Sequence, residues 1–114
     1  MNLLDTGTVI DNMESNNYAP AFISSITLME VLRGIEDKKR LQIRQLLEDS
    51  FSVLNLNNNI IETYCKIYRK LKEEGNLLPD ADLIIAATSI THDLILETKD
   101  AHFQRLKTIG LNLK

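Results

Sequence analysis

Apolar positions along this chain fall into short runs, separated by longer stretches with helical spacing. Leu3-Leu4-Asp5 reads as a brief buried strand that ends at an acid, and a helix follows around Gly7 to Met13. Glu14 to Pro20 is polar and ends in proline, the mark of a loop. Ala21-Phe22-Ile23-Ser24 predicts a second strand. Thr27 then reads as an N-cap with Glu30 three residues later, the capping-box spacing, in a helix ending near Gly34. From Asp37 to Phe51, Ile43, Leu46, Leu47 and Phe51 share one face of an amphipathic helix. Ser52 to Leu56 alternates like a strand and runs into a turn at Asn57-Asn58-Asn59. Ile60, Ile61, Tyr64, Ile67, Tyr68 and Leu71 repeat at helical spacing, which assigns Ile61, Tyr64 and Tyr68 to the core, and Gly75 stops that helix. Asp80 opens another helix, apolar nearly all round through Ala87 and therefore buried. Leu94 to Thr98 predicts a strand, His102 to Leu106 a short helix, and Leu111 to Leu113 a last strand.

Short apolar strands alternating with helices predict an α/β fold with a parallel sheet. The length of 114 residues suits a single domain over residues 1–114. In such sheets, sites form outside the carboxyl ends of the strands, where strand order reverses. Asp5 and Asp100 closely follow predicted strands, Asp82 opens a helix on the same edge, and Glu30 lies one turn into the helix after the second strand. These four acids are expected to meet in one cleft. Carboxylates gathered at the rim of a core repel one another, by about 4 kcal/mol for two unit charges about 4 Å apart near a surface. A hard divalent cation turns that repulsion into attraction.

Composition adds boundaries. The apolar and charged fractions, 44% and 25%, are those of a soluble globular protein. No apolar run is long enough to span a bilayer and no charged-then-apolar leader is visible, so no membrane role is expected. The single cysteine, Cys65, has no partner for an internal disulfide, which fits a reducing cytoplasm. The net charge of −3 argues against tight binding by phosphate neutralisation alone. Setting the four named acids aside leaves twelve carboxylates against thirteen Lys and Arg, so an acidic balance does not exclude a nucleic-acid substrate.

Four blocks, in order, carry a resemblance: Leu3-Leu4-Asp5-Thr6-Gly7-Thr8-Val9-Ile10-Asp11, Ile23 to Gly34 around Glu30, Asp80 to Ala87 around Asp82, and Thr98-Lys99-Asp100-Ala101-His102-Phe103. The chain resembles the PIN-domain ribonucleases and, among them, the VapC-type toxins of bacterial toxin–antitoxin pairs. The resemblance implies a PIN-like three-layer sandwich, a short parallel sheet flanked by helices. It also implies Mg²⁺- or Mn²⁺-dependent RNA hydrolysis, with Asp5, Glu30, Asp82 and Asp100 catalytic and Asp5, Asp82 and Asp100 on the metal. A metal-activated water would attack phosphorus in line, with no histidine or lysine needed as base. Thr98 matches the hydroxyl that often supports the family's site, with Thr6 and Asp80 as further supporting residues. The resemblance implies a VapB-type antitoxin over the acidic cleft and a homodimer. Gly7 departs from the Asn that many members carry.

Each residue also has a plainer reading. Asp5 suits a helix cap, Glu30 a capping-box partner of Thr27, and Asp82 a first-turn acid favoured by the helix dipole. Asp80, after Pro79, is the better N-cap, while Asp82 directly precedes the apolar run, where the resemblance implies the metal-holding acid. Asp100 lies on a loop, where a solvated charge is ordinary. His92 and His102 lack zinc-ligand spacing and read as surface residues. The basic run of Arg33, Lys38, Lys39, Arg40 and Arg44 suits a solvated face, or an RNA-backbone contact through Lys38, Lys39 and Arg40. Leu3 to Thr8 also looks like the active-site block of a retroviral-type aspartic protease, but such all-β folds lack the helices predicted here. An aspartyl-phosphate phosphotransferase or phosphatase is the enzyme alternative, although Gly7 stands where its second Asp belongs. A catalytically inactive PIN-like module binding RNA or protein is the non-enzyme alternative, and the presence of all four acids speaks against it.

Overall fold

The computed structural model describes residues 1–114. Strands β1 (Asn2–Leu4), β2 (Phe22–Ser24), β3 (Ser52–Leu54), β4 (Ile95–Glu97) and β5 (Asn112–Leu113) form one sheet in the order β3-β2-β1-β4-β5. Every pairing is parallel, so each connection crosses over a face of the sheet. The crossovers are α1 (Thr6–Glu14), then α2 (Ser25–Leu32) with α3 (Asp37–Ser50), then α4 (Asn58–Glu73) with α5 (Asp80–Thr91), and last a 3₁₀ helix at Ala101–Ile109.

The two leucines of β1 explain the layers. Adjacent strand residues face opposite sides. Leu3 enters the larger core with Ile60, Ile67 and Leu71 of α4, Leu83, Ile85, Ala86 and Ala87 of α5, and Phe103. Leu4 enters the smaller core with Val9, Leu28, Val31, Leu47 and Phe51. The result is the expected three-layer α/β sandwich. Strands of two or three residues suffice because both faces are covered and each central strand is paired on both edges.

Local differences from the sequence reading have physical causes. The N-cap of α2 is Ser24, whose hydroxyl accepts from the Ile26 amide at 3.2 Å, rather than Thr27, which is fully buried inside the helix. The N-cap position of α5 is Pro79, and Asp80 is the first helical residue with no capping bond. The buried helix α5 runs on to Thr91 because Thr88 and Ser89 satisfy their hydroxyls on the Ile84 and Leu94 carbonyls. On α3 only Leu47 is fully buried; Leu46 is 37% and Leu41 68% exposed. On α4, Ile61 is half exposed and Tyr64 and Tyr68 are half-buried, their rings stacked 6.1 Å apart, so these three lie at the edge of the core. Gly75 takes φ +66° directly after the α4 terminus, a conformation that favours glycine.

Candidate active site

The strand order fixes where a site belongs. The chain builds outward from β1 through β2 to β3, then returns to place β4 on the other side of β1. The crevice between the carboxyl ends of β1 and β4 is therefore the switch point. Asp5 follows β1 there. It is buried, and both carboxylate oxygens are engaged. Oδ1 accepts from the Thr8 amide at 2.9 Å as the N-cap of α1, and Oδ2 accepts from the Thr98 hydroxyl, which follows β4. The backbone repeats the link: the Asp5 amide donates to the Glu97 carbonyl at 3.3 Å, and the Thr8 hydroxyl reaches the same oxygen at 3.1 Å. Capping and site placement thus coexist in one side chain. Thr98 also accepts from the Asp100 amide at 3.0 Å. Asp100 caps the 3₁₀ helix by accepting from the His102 amide at 2.9 Å, and the His102 Nδ1 lies 3.0 Å from the same carboxylate oxygen. His102 is on the surface as expected, but it contacts a site acid.

Glu30 comes from the other side. Its Oε1 accepts from the Thr6 hydroxyl at 2.6 Å, and Thr6 Oγ1 lies 3.2 Å from the buried Thr27 hydroxyl. The capping-box pairing of Glu30 with Thr27 is therefore replaced by a bridge through Thr6, the first residue of α1. Arg33 stands 3.7 Å from the second Glu30 oxygen.

Asp82 lies in the first turn of α5. Its carboxyl titrates above the usual range. Burial is the main cause, followed by the negative charges of Asp100, Glu30 and Asp5, with His102 acting in the opposite direction. The charges of Asp100, Glu30 and Asp5 thus all reach Asp82. Asp80 is not part of the cleft. Its Oδ1 accepts from the Tyr64 hydroxyl at 2.7 Å, and that bond is the first cause of a phenol pKa pushed up to about 12.

The cleft, about 290 Å³, is lined by Asp5, Thr6, Gly7, Thr8, Asp11, Asp82, Lys99 and Asp100, with no apolar side chain. Asp11 and Lys99 were not assigned to the site from sequence, and their ammonium–carboxylate contact is 3.1 Å. The signal was available: Lys99 sits between Thr98 and Asp100, and Asp11 lies on the helix that Asp5 caps. Lys38 and Lys39 lie beyond the cleft at the start of α3, each within 4 Å of Glu36. Arg40 pairs with Asp37 and donates to the Leu32 and Ile35 carbonyls at the end of α2. The donors offered by the cleft are all hard oxygens, the chemistry that suits Mg²⁺ or Mn²⁺ and not a softer ion. No three of the chain's acidic, imidazole or thiol groups stand gathered as a ready ligand set.

Residues 5–109 match the family model described as the PIN domain. A ribonuclease VapC1 of Methanocaldococcus jannaschii is 38% identical over 97% of this chain and 85% of that relative. A ribonuclease VapC1 of Rickettsia felis is 29% identical over 92% of this chain and 90% of its own length. Among solved structures, VapBC-1 from nontypeable Haemophilus influenzae superposes with a TM-score of 0.86 at 24% identity, over 99% of this chain and 96% of that one. At that identity the likeness speaks for the fold.

Proposed function

The chain belongs to the PIN-domain family, and from that premise we propose that it is a Mg²⁺- or Mn²⁺-dependent endoribonuclease, the toxin of a VapBC-type pair. The observation that supports the reading is that Asp5, Asp82 and Asp100 line one cleft at the switch point, while Glu30 does not line it but its charge reaches Asp82. Acids placed near one another repel, and a divalent cation would offset that repulsion.

Asp5, Asp82 and Asp100 are the residues that would hold the ion. When bound, it supplies Lewis acidity, polarising the phosphate and making a water acidic at neutral pH. Thr98 keeps Asp5 oriented and sets the Asp100 loop, so two ligands share one hydroxyl anchor. Glu30, held through one oxygen by Thr6, is assigned to accept a hydrogen bond from the attacking water and align it with phosphorus. Water oxygen bonds to phosphorus, the bond to the leaving sugar oxygen breaks, and the water proton departs through a carboxylate. The aspartyl-phosphate alternative is disfavoured because Gly7 stands where its second Asp belongs.

The VapBC and toxin–antitoxin complexes among the similar solved structures support an antitoxin partner, and an acidic cleft favours a basic side chain from it. Exposed Leu41 and Leu46 on α3 offer apolar surface for a second copy of the chain. No helix is long and apolar enough to cross a membrane.

The test is cleavage of RNA by purified protein in Mg²⁺, Mn²⁺ or EDTA, beside an Asp82→Asn preparation. Cutting that needs the cation and vanishes with Asp82→Asn is the expected result. Cutting that survives both EDTA and the substitution would assign the activity elsewhere.

A further inference from the structure

Lys99 is the only cation lining the acidic cleft. We propose that Lys99 seats a phosphate of the RNA backbone at the cleft mouth, with Asp11 parking its ammonium until substrate replaces it. The proposal rests on the nuclease reading above and assigns a substrate contact within it.

Charge is the first reason. A phosphodiester approaching this cleft meets aspartates, hydroxyls and a glycine, and Lys99 is the one lining side chain that attracts it. Placement is the second. Thr98 is tied to Asp5 and accepts from the Asp100 amide, while Asp100 caps the 3₁₀ helix, so the backbone on both sides of Lys99 is fixed relative to the site. Only the side chain is free to move, which suits a group that must exchange partners. Availability is the third. The Lys99–Asp11 contact is 3.1 Å long, but the lysine side chain is 82% exposed and Asp11 49%. An exposed pair of this kind is held weakly in water, so replacing Asp11 by a phosphate costs little. The phosphate offers a charge-assisted hydrogen bond in return. The basic residues of α3 also have carboxylate neighbours, but none of them lines the cleft.

Lys99 is thus a substrate-binding residue, and its removal should raise KM while leaving kcat close to its original value. The decisive measurement is binding of a labelled, mixed-sequence single-stranded RNA in an Asp82→Asn background, which takes cleavage out of the readout. Lys99→Gln should weaken binding roughly fivefold at low salt and reduce the slope of log K against log salt by about 0.7. Lys99→Arg should restore most of the affinity, and Asp11→Asn should bind at least as tightly as the parent. Calorimetric titration of Mn²⁺ into the chain with Asp82 intact separates the two levels. Normal Mn²⁺ binding by Lys99→Gln, with RNA affinity and salt slope unchanged, overturns the assignment of Lys99 alone. Asp11→Asn weakening RNA as much as Lys99→Gln would also overturn it, because the pair would then be acting as structural support. Mn²⁺ failing to bind even with Lys99 and Asp82 intact would remove the nuclease reading beneath it.

Discussion

The two walls of the cleft are built differently. On the strand wall, both Asp5 oxygens and one Asp100 oxygen have donors, from Thr8, Thr98 and His102. On the helix wall, Asp82 stands in the first turn of α5, half-buried, with its carboxyl pushed toward the protonated form by burial and by three neighbouring acids. The strand wall therefore contributes to folding in the metal-free chain, whereas the helix wall detracts from it. Acids that look equivalent in sequence carry opposite signs in stability.

The largest effect should separate Asp82 from its neighbour. Asp82→Asn is expected to reduce RNA cleavage by on the order of 10³-fold, since a metal ligand and its charge are lost. Asp80→Asn should leave cleavage within a few fold, because that carboxylate is engaged with Tyr64. Equal losses in both would break the division between the walls.

Stability gives the next contrast. Asp5→Ala should lower metal-free stability by about 1–2 kcal/mol through loss of the α1 cap, read by urea unfolding. Asp82→Asn should raise it at neutral pH. The sign follows from linkage: a folded-state pKa above the unfolded one means the protonated form is favoured on folding. That stability is present below the ordinary carboxylate pKa and is lost as pH rises through the raised folded value. The benefit of Asp82→Asn should therefore fade as pH falls below that range. A stabilisation independent of pH would show that Asp82 is not the strained member.

The smallest effect concerns α3. Lys38→Gln with Lys39→Gln should change the salt slope of RNA binding by less than Lys99→Gln does, because both lysines share Glu36 and lie off the cleft. A larger change would move the RNA path onto α3.

How much was visible in the sequence follows the same division. The α/β order, the parallel sheet and the four acids were legible because apolar runs set the strands and each acid stands at the end of one or one turn into the next helix. The apolar α5 was equally plain, since Leu83, Ile85, Ala86 and Ala87 leave no polar face for solvent. Local capping was harder to read. Ser24 and Thr27 are both good cap residues, and burial of Thr27 between α2 and Thr6 decided between them. Asp80 was read as the N-cap of α5, yet it is the first helical residue and its carboxylate takes up the hydroxyl of Tyr64, sixteen residues earlier. The Lys99–Asp11 contact spans 88 positions and joins two blocks that no spacing rule connects.

The Thr98–Asp5 anchor has a consequence for the order in which the site assembles. Its two ends are 93 positions apart, and β1 lies at the centre of the sheet with one neighbouring strand still to come when β2 and β3 are complete. Non-local pairings of this kind form late, after their loops have closed. Asp5 is therefore expected to stay unanchored until β4 has docked beside β1 and brought Thr98 to it. The acid nearest the start of the fold is thus among the last to take its working position, after four of the five strands have assembled.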